Sequence, residues 1–299
     1  MLEIEDLCKA YKVNHSVFEA VKHVNMTIEA HDIVGFLGSN GAGKTTTIKM
    51  ICNLITPTSG RVLFEGKDVS KYKSIAQKNI GVMLEGARNL YHFLTVEENV
   101  KYFSYLNKLK GEETEQLFEE MLDVFDMRDK RNETVNKLSR GMQQKVAIMV
   151  AILKNPKLLI LDEPTLGLDV ASKIKMRDFL IDLCKKRNKA LIICTHEIEL
   201  AEKICNKVAV FHRGELVRFD ETSQFKFSQG GQLYKLVVKD SPEIRGILEK
   251  YGRAYTLANG VVEFEMEDLD EVLKGIPSRD IFQIENIANS LESIIRGLQ

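Results

Sequence analysis

The segment Gly38-Ser39-Asn40-Gly41-Ala42-Gly43-Lys44-Thr45 fits the pattern G-x-x-x-x-G-K-[ST] and lies between the apolar run Ile33 to Leu37 and an amphipathic stretch opening at Thr46. That pattern demands a strand, a tight loop and a helix, in that order. Glycines at these positions let backbone N–H groups turn inward around a polyphosphate. The helix start adds its positive end, and Lys44 supplies a full charge. Thr45 is placed to hold Mg2+ through its hydroxyl, and Thr46 opens the helix behind the loop.

Short strands are expected from Leu2 to Arg61, with the helix Thr46 to Leu54 closed by Thr56-Pro57-Thr58-Ser59-Gly60, a strong turn signal. After a strand at Ile80 to Leu84 the pattern turns helical. Thr95 and Glu98 form a capping box, Val96, Val100, Phe103 and Leu106 recur at helical spacing, and Gly111 ends the helix. Two more helices follow, Glu113 to Phe125 and Arg140 to about Leu153. The apolar runs Leu158 to Leu161 and Ala190 to Cys194, separated by a helix from about Ser172 to Lys186, imply buried parallel strands. Val208 to Phe211 and Glu215 to Phe219 flank His212-Arg213-Gly214 as a hairpin.

Beyond Thr222 the material changes. Gln229-Gly230-Gly231-Gln232 reads as a linker. The strand Leu233 to Val238, helix Pro242 to Tyr251, two strands joined at Asn259-Gly260, helix Leu269 to Leu273 and strand Ile281 to Ile287 then give β-α-β-β-α-β, a small ferredoxin-like α+β domain. It carries no constellation of nucleophile, base or ligands, so a structural or regulatory role is expected.

A formal net charge of -1 gives no electrostatic argument for a nucleic-acid partner. No apolar run is long enough to span a membrane, and the first residues lack a signal-peptide pattern, so a cytoplasmic chain is expected. The five cysteines are scattered and never spaced as C-x-x-C, which argues against a disulfide framework or a zinc site.

The later motifs each have a physical reading. Asp162 ends an apolar strand, where its carboxylate can bind Mg2+ or a metal-bound water. Glu163 is the better candidate to orient or deprotonate an attacking water, the alternative being a pair of solvated turn carboxylates. Ser139 and Asp169 stand at helix starts and can cap them. His196 follows a strand, where a histidine is ordinarily structural, and Tyr11 alone reads as a half-buried strand residue.

In motif, order and spacing, the phosphate loop together with Leu138-Ser139-Arg140-Gly141-Met142-Gln143-Gln144-Lys145, Asp162-Glu163-Pro164, Gly167-Leu168-Asp169 and Thr195-His196 resembles the ATP-binding cassette family over residues 1 to about 220. The resemblance implies an α/β P-loop NTPase cassette at residues 1–221, with a helical subdomain at about 86–156 and the small accessory domain at 222–299. It assigns ATP and Mg2+ as cofactors, Tyr11 to adenine stacking, and His196 to the γ-phosphate and the network around Glu163. Ser139 and Gly141 would meet the γ-phosphate held by a second cassette, a second copy of the chain, and Asp169 would help join the two.

Glu85 departs from the glutamine usual at its position, where the side chain reaches Mg2+. Some drug-exporter and antibiotic-exporter ATPases look similar here, with a segment like Leu94-Thr95-Val96-Glu97-Glu98-Asn99. The expectation is therefore a Mg-dependent ATPase subunit of an exporter, held at the inner face of the membrane by a separate permease. The alternative is a non-transport cassette acting as a clamp on a ribosome or DNA complex.

Overall fold

The structure of the protein, a computed structural model, describes residues 1–13, 16–84, 90–109, 111–186, 188–227, 234–249, 252–257, 261–266 and 269–286. The chain divides into two compact units, Met1–Asp220 and a second from Glu221 onward.

The first unit opens with β1 (Leu2–Val13) and β2 (Ser16–Ile28), an antiparallel pair. These strands are long where short ones were expected. Their inward positions, among them Leu2, Ile4, Leu7, Val24, Met26 and Ile28, are buried, so a polar-apolar alternation is carried along a half-buried ribbon. Then come β3 (Ile33–Leu37), α1 (Lys44–Ile51), β4 (Ser59–Phe64), β5 (Lys67–Asp68), α2 (Lys73–Asn79) and β6 (Ile80–Met83). Helix α1 stops three residues short of the expected Leu54, where Asn53 takes the left-handed conformation and breaks the helical path.

Three helices, α3 (Val96–Leu106), α4 (Glu112–Val124) and α5 (Arg140–Leu153), intervene before the sheet resumes. Helix α3 carries the expected capping box: Thr95 Oγ1 accepts from Glu98 N at 3.1 Å and Glu98 Oε2 accepts from Thr95 N at 2.8 Å. It ends at Leu106, before Gly111, because Lys108 is left-handed. The unit closes with β7 (Leu158–Asp162), α6 (Val170–Lys186), β8 (Ala190–Cys194), α7 (Ile198–Ile204), β9 (Lys207–His212) and β10 (Glu215–Glu221). Helices α2 and α7 had no sequence-based expectation; both are only two turns long.

One sheet of ten strands runs β5-β4-β1-β2-β10-β9-β3-β8-β7-β6. Its β9-β3-β8-β7-β6 half is parallel, and every residue of β3, β7 and β8 is buried. Helices therefore cover both faces, which is why these strands read as unbroken apolar runs.

The second unit holds α8 (Thr222–Phe227), β11 (Tyr234–Lys239), α9 (Pro242–Leu248), β12 (Gly252–Leu257), β13 (Val261–Met266), α10 (Leu269–Gly275) and β14 (Ile281–Asn286). Its antiparallel sheet has the order β12-β13-β11-β14 and packs Leu236, Val238 and Val262 against Ile244, Leu248, Val272 and Ile276. The expected linker at 229–232 and the Asn259-Gly260 turn lie outside the described residues.

Two side chains hold the helical insert together. Asn99 is fully buried. Its amide donates to the carbonyls of Tyr91, Leu94 and Thr95, and its Oδ1 accepts from Tyr91 N at 2.9 Å. Asn99→Ala leaves the Tyr91 N–H without its acceptor, while the three carbonyls keep backbone donors from Leu94, Val135 and residue 99 itself. It is expected to cost about 1–3 kcal/mol, read by urea denaturation. Arg131, from the segment after α4, bonds Glu97 at 3.0 Å, Glu115 at 3.0 Å and also Glu119.

Hydrogen bonds from Arg131 and Lys101 hold the Glu97 carboxyl down to about 2, from an ordinary 4.5. Because the folded value is the lower one, this stabilisation is complete above about pH 4.5 and fades as pH falls through about 2. Glu97→Gln should lower stability by about 1 kcal/mol at neutral pH and by nothing near the acid end, a comparison made by denaturation at both pH values.

Candidate nucleotide site

The strand order β3-β8-β7 brings three loops to the same carboxyl edge of the parallel sheet, the place where open α/β sheets bind ligands. From β3 comes the phosphate loop, from β7 the pair Asp162 and Glu163, and from β8 the pair Thr195 and His196. Asp162 lies directly opposite Cys194 across the β7–β8 ladder, so strand register fixes these groups side by side.

In the loop, Gly43 sits at φ 103 as the residue before α1, and a Cβ there would meet the Ala20 carbonyl at 2.7 Å. Only glycine lets the loop lie this close to β2. Lys44 Nζ donates to the carbonyls of Gly38 at 2.7 Å and Ser39 at 3.0 Å, which holds its charge over the loop's concave side. Thr45 Oγ1 donates to Asp162 Oδ2 at 3.4 Å, and Asp162 is almost fully buried. Burial pushes the Cys194 thiol well up, and the neighbouring Asp162 and Glu163 add to this while Lys44 opposes it. Cys194 is thus a neutral packing residue beneath the charged edge.

Glu163 has a left-handed backbone, φ 50, which costs a non-glycine residue about 1 kcal/mol. Hydrogen bonds to its N–H, its carbonyl and its carboxylate hold it there. Its N–H donates to the Cys194 carbonyl at 2.8 Å, and its carbonyl accepts from Gln144 Nε2 at 2.8 Å. On the carboxylate, Oε1 accepts from His196 N at 3.1 Å and contacts His196 Nδ1 at 2.9 Å, while Oε2 accepts from Thr195 Oγ1 at 3.4 Å. Next to this network, Glu197 bonds both Thr165 Oγ1 and Lys173 Nζ. Burial pushes the Glu197 carboxyl up, but those bonds outweigh it and leave it below the usual range.

A cleft of about 230 Å³ joins these parts. It is lined by the loop from Asn40 to Thr46, by Asp162 and Glu163, and by Tyr11, Phe18 and Ala20 from the β1–β2 ribbon. Tyr11 and Phe18 face each other in the ribbon register and remain 38% and 56% exposed, two aromatic faces beside a phosphate-sized loop. Phe18, Gln144 and Thr195 were missed as site residues by sequence reasoning. Phe18 could have been found as the pairing partner of Tyr11 once the ribbon register was known. Gln144 sits in the segment 138–145, but its role depends on a tertiary hydrogen bond.

The remaining expected residues lie elsewhere or serve as caps. Ser139 caps α5, accepting from Met142 N at 3.3 Å, and Asp169 caps α6, accepting from Ser172 N at 2.9 Å and Ser172 Oγ at 2.8 Å. Those two bonds lower the Asp169 carboxyl below its ordinary value. A Cβ on Gly141 would meet the Gly167 carbonyl at 2.3 Å, so the start of α5 is seated directly on the turn after Glu163. Glu85 falls outside the described residues.

The family model for ABC transporter matches residues 21–166. The ABC transporter ATP-binding protein NatA of Bacillus subtilis (strain 168) is 36% identical over 217 residues, which is 73% of this chain and 88% of that protein. The chain belongs to the ABC transporter family. It has the ABC ATP-binding cassette, the ATP-binding subunit of a transporter.

Bacitracin transport ATP-binding protein BcrA of Bacillus licheniformis is 36% identical over 217 residues, covering 73% of this chain and 68% of that protein. Methionine import ATP-binding protein MetN 1 of Staphylococcus epidermidis is 31% identical over 221 residues, covering 73% and 64%. Among solved structures, the dimeric post-hydrolysis state of an ATP-binding cassette bound to ADP and Pi superposes with a TM-score of 0.68 at 29% identity, covering 74% of this chain and 99% of that one. Relatives thus include both import and other transport proteins, and the ABC cassette fold is common to them.

The Gly141–Gly167 contact leaves no room for a methyl group. Gly141→Ala should push the Gly167 turn away from α5 and cost about 1–3 kcal/mol, the usual range for overpacking. Denaturant titration of the nucleotide-free chain checks this, and an unchanged midpoint would mean that the turn moves freely.

Proposed function

We propose that the chain hydrolyses ATP to drive export through a separate membrane permease, working as one of two facing cassettes. The observation that carries this reading is the over-determined carboxylate of Glu163 at the same sheet edge as Lys44, Thr45 and Asp162. A carboxylate with donors on both oxygens keeps one defined orientation, which is what positioning an attacking water requires. Lys44 and the inward N–H groups of Gly38 to Thr46 take the phosphates, and Tyr11 with Phe18 takes the adenine face. His196 holds Glu163 through one ring nitrogen, and its other ring nitrogen would meet the γ-phosphate.

Thr45 and Asp162 present a hydroxyl and a carboxylate 3.4 Å apart, hard oxygen donors that suit a small dication. They would hold Mg2+, joined by Glu85 from the sequence reading. When bound, Mg2+ neutralises charge on the phosphate oxygens. Ser139 and Gly141, at the start of a helix, offer N–H groups to the nucleotide of a second cassette, a second copy of this chain, and Asp169 supports that junction.

The export direction draws on the similarity to a bacitracin transport protein and on the segment Leu94 to Asn99. Among the described residues no helix is long and apolar enough to cross a membrane, and in this reading a separate permease supplies the membrane span. The portion from residue 222 is an accessory domain in this reading.

Glu163→Gln keeps the shape of the side chain but removes its basicity, so turnover should fall about 10^2 to 10^4-fold while ATP binding survives. Near-normal turnover would remove Glu163 from this role. Lys44→Ala should instead weaken ATP binding itself, since no other loop charge replaces it. Tagged Glu163→Gln chain, trapped with ATP in its own cells and gently solubilised, should co-purify with a multi-span permease. Recovery with ribosomes or DNA complexes and no permease would overturn the export reading in favour of a clamp, and recovery with nothing would overturn the stable pairing with a separate permease.

A further inference from the structure

Away from the nucleotide cleft, the β1–β2 ribbon is interrupted where its register slips between Ile4 and Leu7 and again between Leu7 and Lys9. Asp6 and His23 both take φ 46 at this point, so two bulges face each other across the ribbon. The slip turns Asp6, Cys8 and His23 to one side. One ligand atom from each, a carboxylate oxygen, Sγ and a ring nitrogen, lies within 4.8 Å of the other two.

We propose that Asp6, Cys8 and His23 form a binding site for a thiophilic divalent cation, zinc in particular, that bridges β1 and β2. A thiolate, an imidazole and a carboxylate are the donor types zinc takes, and three protein ligands leave its fourth position to water.

The backbone carrying these ligands is already fixed. Asp6 N donates to Asn25 Oδ1 at 2.9 Å, Asn25 Nδ2 donates to the His23 carbonyl at 2.9 Å, and Thr58 N donates to the Cys8 carbonyl at 2.9 Å. Behind Asp6, a Cβ on Gly60 would meet the Asp6 carbonyl oxygen at 2.1 Å, so β4 is pressed against the bulge. His23 N donates to Cys8 Sγ at 3.2 Å, a bond that strengthens when the sulfur becomes a thiolate.

Only side-chain adjustment is then needed. Ligand atoms around a tetrahedral zinc stand about 3.3–3.7 Å apart at zinc's usual bond lengths. His23 Nδ1 and Asp6 Oδ1, now 2.6 Å apart, must open by roughly 1 Å to admit the ion. Their side chains are 74% and 64% exposed, so nothing in the core resists that movement.

Negative charge from Asp6, Glu19 and Glu215 acts on the His23 ring, a field that favours a bound cation. Binding displaces the Cys8 thiol proton, and any proton on the His23 nitrogen that becomes a ligand, to solvent. C-x-x-C spacing gives no hint of such a site, because Cys8 and His23 come together across two strands.

The test uses reduced, nucleotide-free full-length chain titrated with Co2+ and then with Zn2+. The expected result is one cobalt per chain with a thiolate-to-cobalt charge-transfer band and tetrahedral ligand-field bands, both erased by zinc. Cys8→Ser should abolish the charge-transfer band, and His23→Gln and Asp6→Asn should each weaken zinc at least about 10-fold. No charge-transfer band in the unmodified chain, or an undiminished band in Cys8→Ser, would overturn the proposal. If Cys8→Ser does not fold, His23→Gln decides, and zinc affinity equal to that of the unmodified chain in that variant would overturn it too. Zinc should also raise the melting temperature of the unmodified chain and leave that of His23→Gln unmoved.

Discussion

Three buried strands ending side by side are the constraint on which the rest of the structure depends. β3, β8 and β7 are apolar along their whole length, and burying a side chain of this kind contributes roughly 1.5–3 kcal/mol. Parallel pairing in register leaves no freedom to slide them, because a slip of one residue would exchange the faces of every side chain. The polar groups that follow each strand therefore reach the same edge at fixed separations. Lys44 and Thr45, Asp162 and Glu163, and Thr195 and His196 are close because their strands must be.

Glu163 shows how that rigidity is used. A left-handed backbone at a non-glycine residue persists only where the surroundings over-determine it. Here β8 supplies the partner for its N–H, α5 supplies the partner for its carbonyl, and the Thr195-His196 turn supplies three contacts to its carboxylate. The same helix α5 is seated on Gly167 at its first turn, where Ser139 caps it. Glu163, the turn after it and the start of α5 are thus one mechanical piece. A ligand pressing on the start of α5 would be felt at Glu163 through two contacts, Gln144 to the Glu163 carbonyl and Gly141 against Gly167.

Much of this was legible in the sequence, and for physical reasons. Continuous apolar runs announce strands covered on both faces, and Leu158 to Leu161 and Ala190 to Cys194 formed as such. The Thr95–Glu98 capping box is local chemistry, readable without any tertiary knowledge. Long-range pairing was not legible. Phe18 enters the cleft because the ribbon register sets it opposite Tyr11, and that register contains slips no spacing rule foresees. Gln144 matters through a single bond to a carbonyl nineteen residues away. The ends of α1 and α3 were overestimated because Asn53 and Lys108 adopt left-handed conformations: asparagine takes that conformation readily and could have signalled the stop, whereas lysine carries no such signal.

The β1–β2 ribbon contrasts with the strand edge it faces. The phosphate loop, Asp162 and Glu163 are held by buried strands, whereas Tyr11 and Phe18 stand exposed on a ribbon whose register slips nearer its base. A wall of this kind tolerates variation in the aromatic faces it presents, because stacking needs a flat apolar surface more than a fixed atom position. Phosphate chemistry has no such tolerance, since misplacement by an ångström costs orders of magnitude in rate. In the proposed reading, the buried strand edge takes the phosphates, where position matters most, and the exposed aromatic pair of the ribbon takes the adenine face.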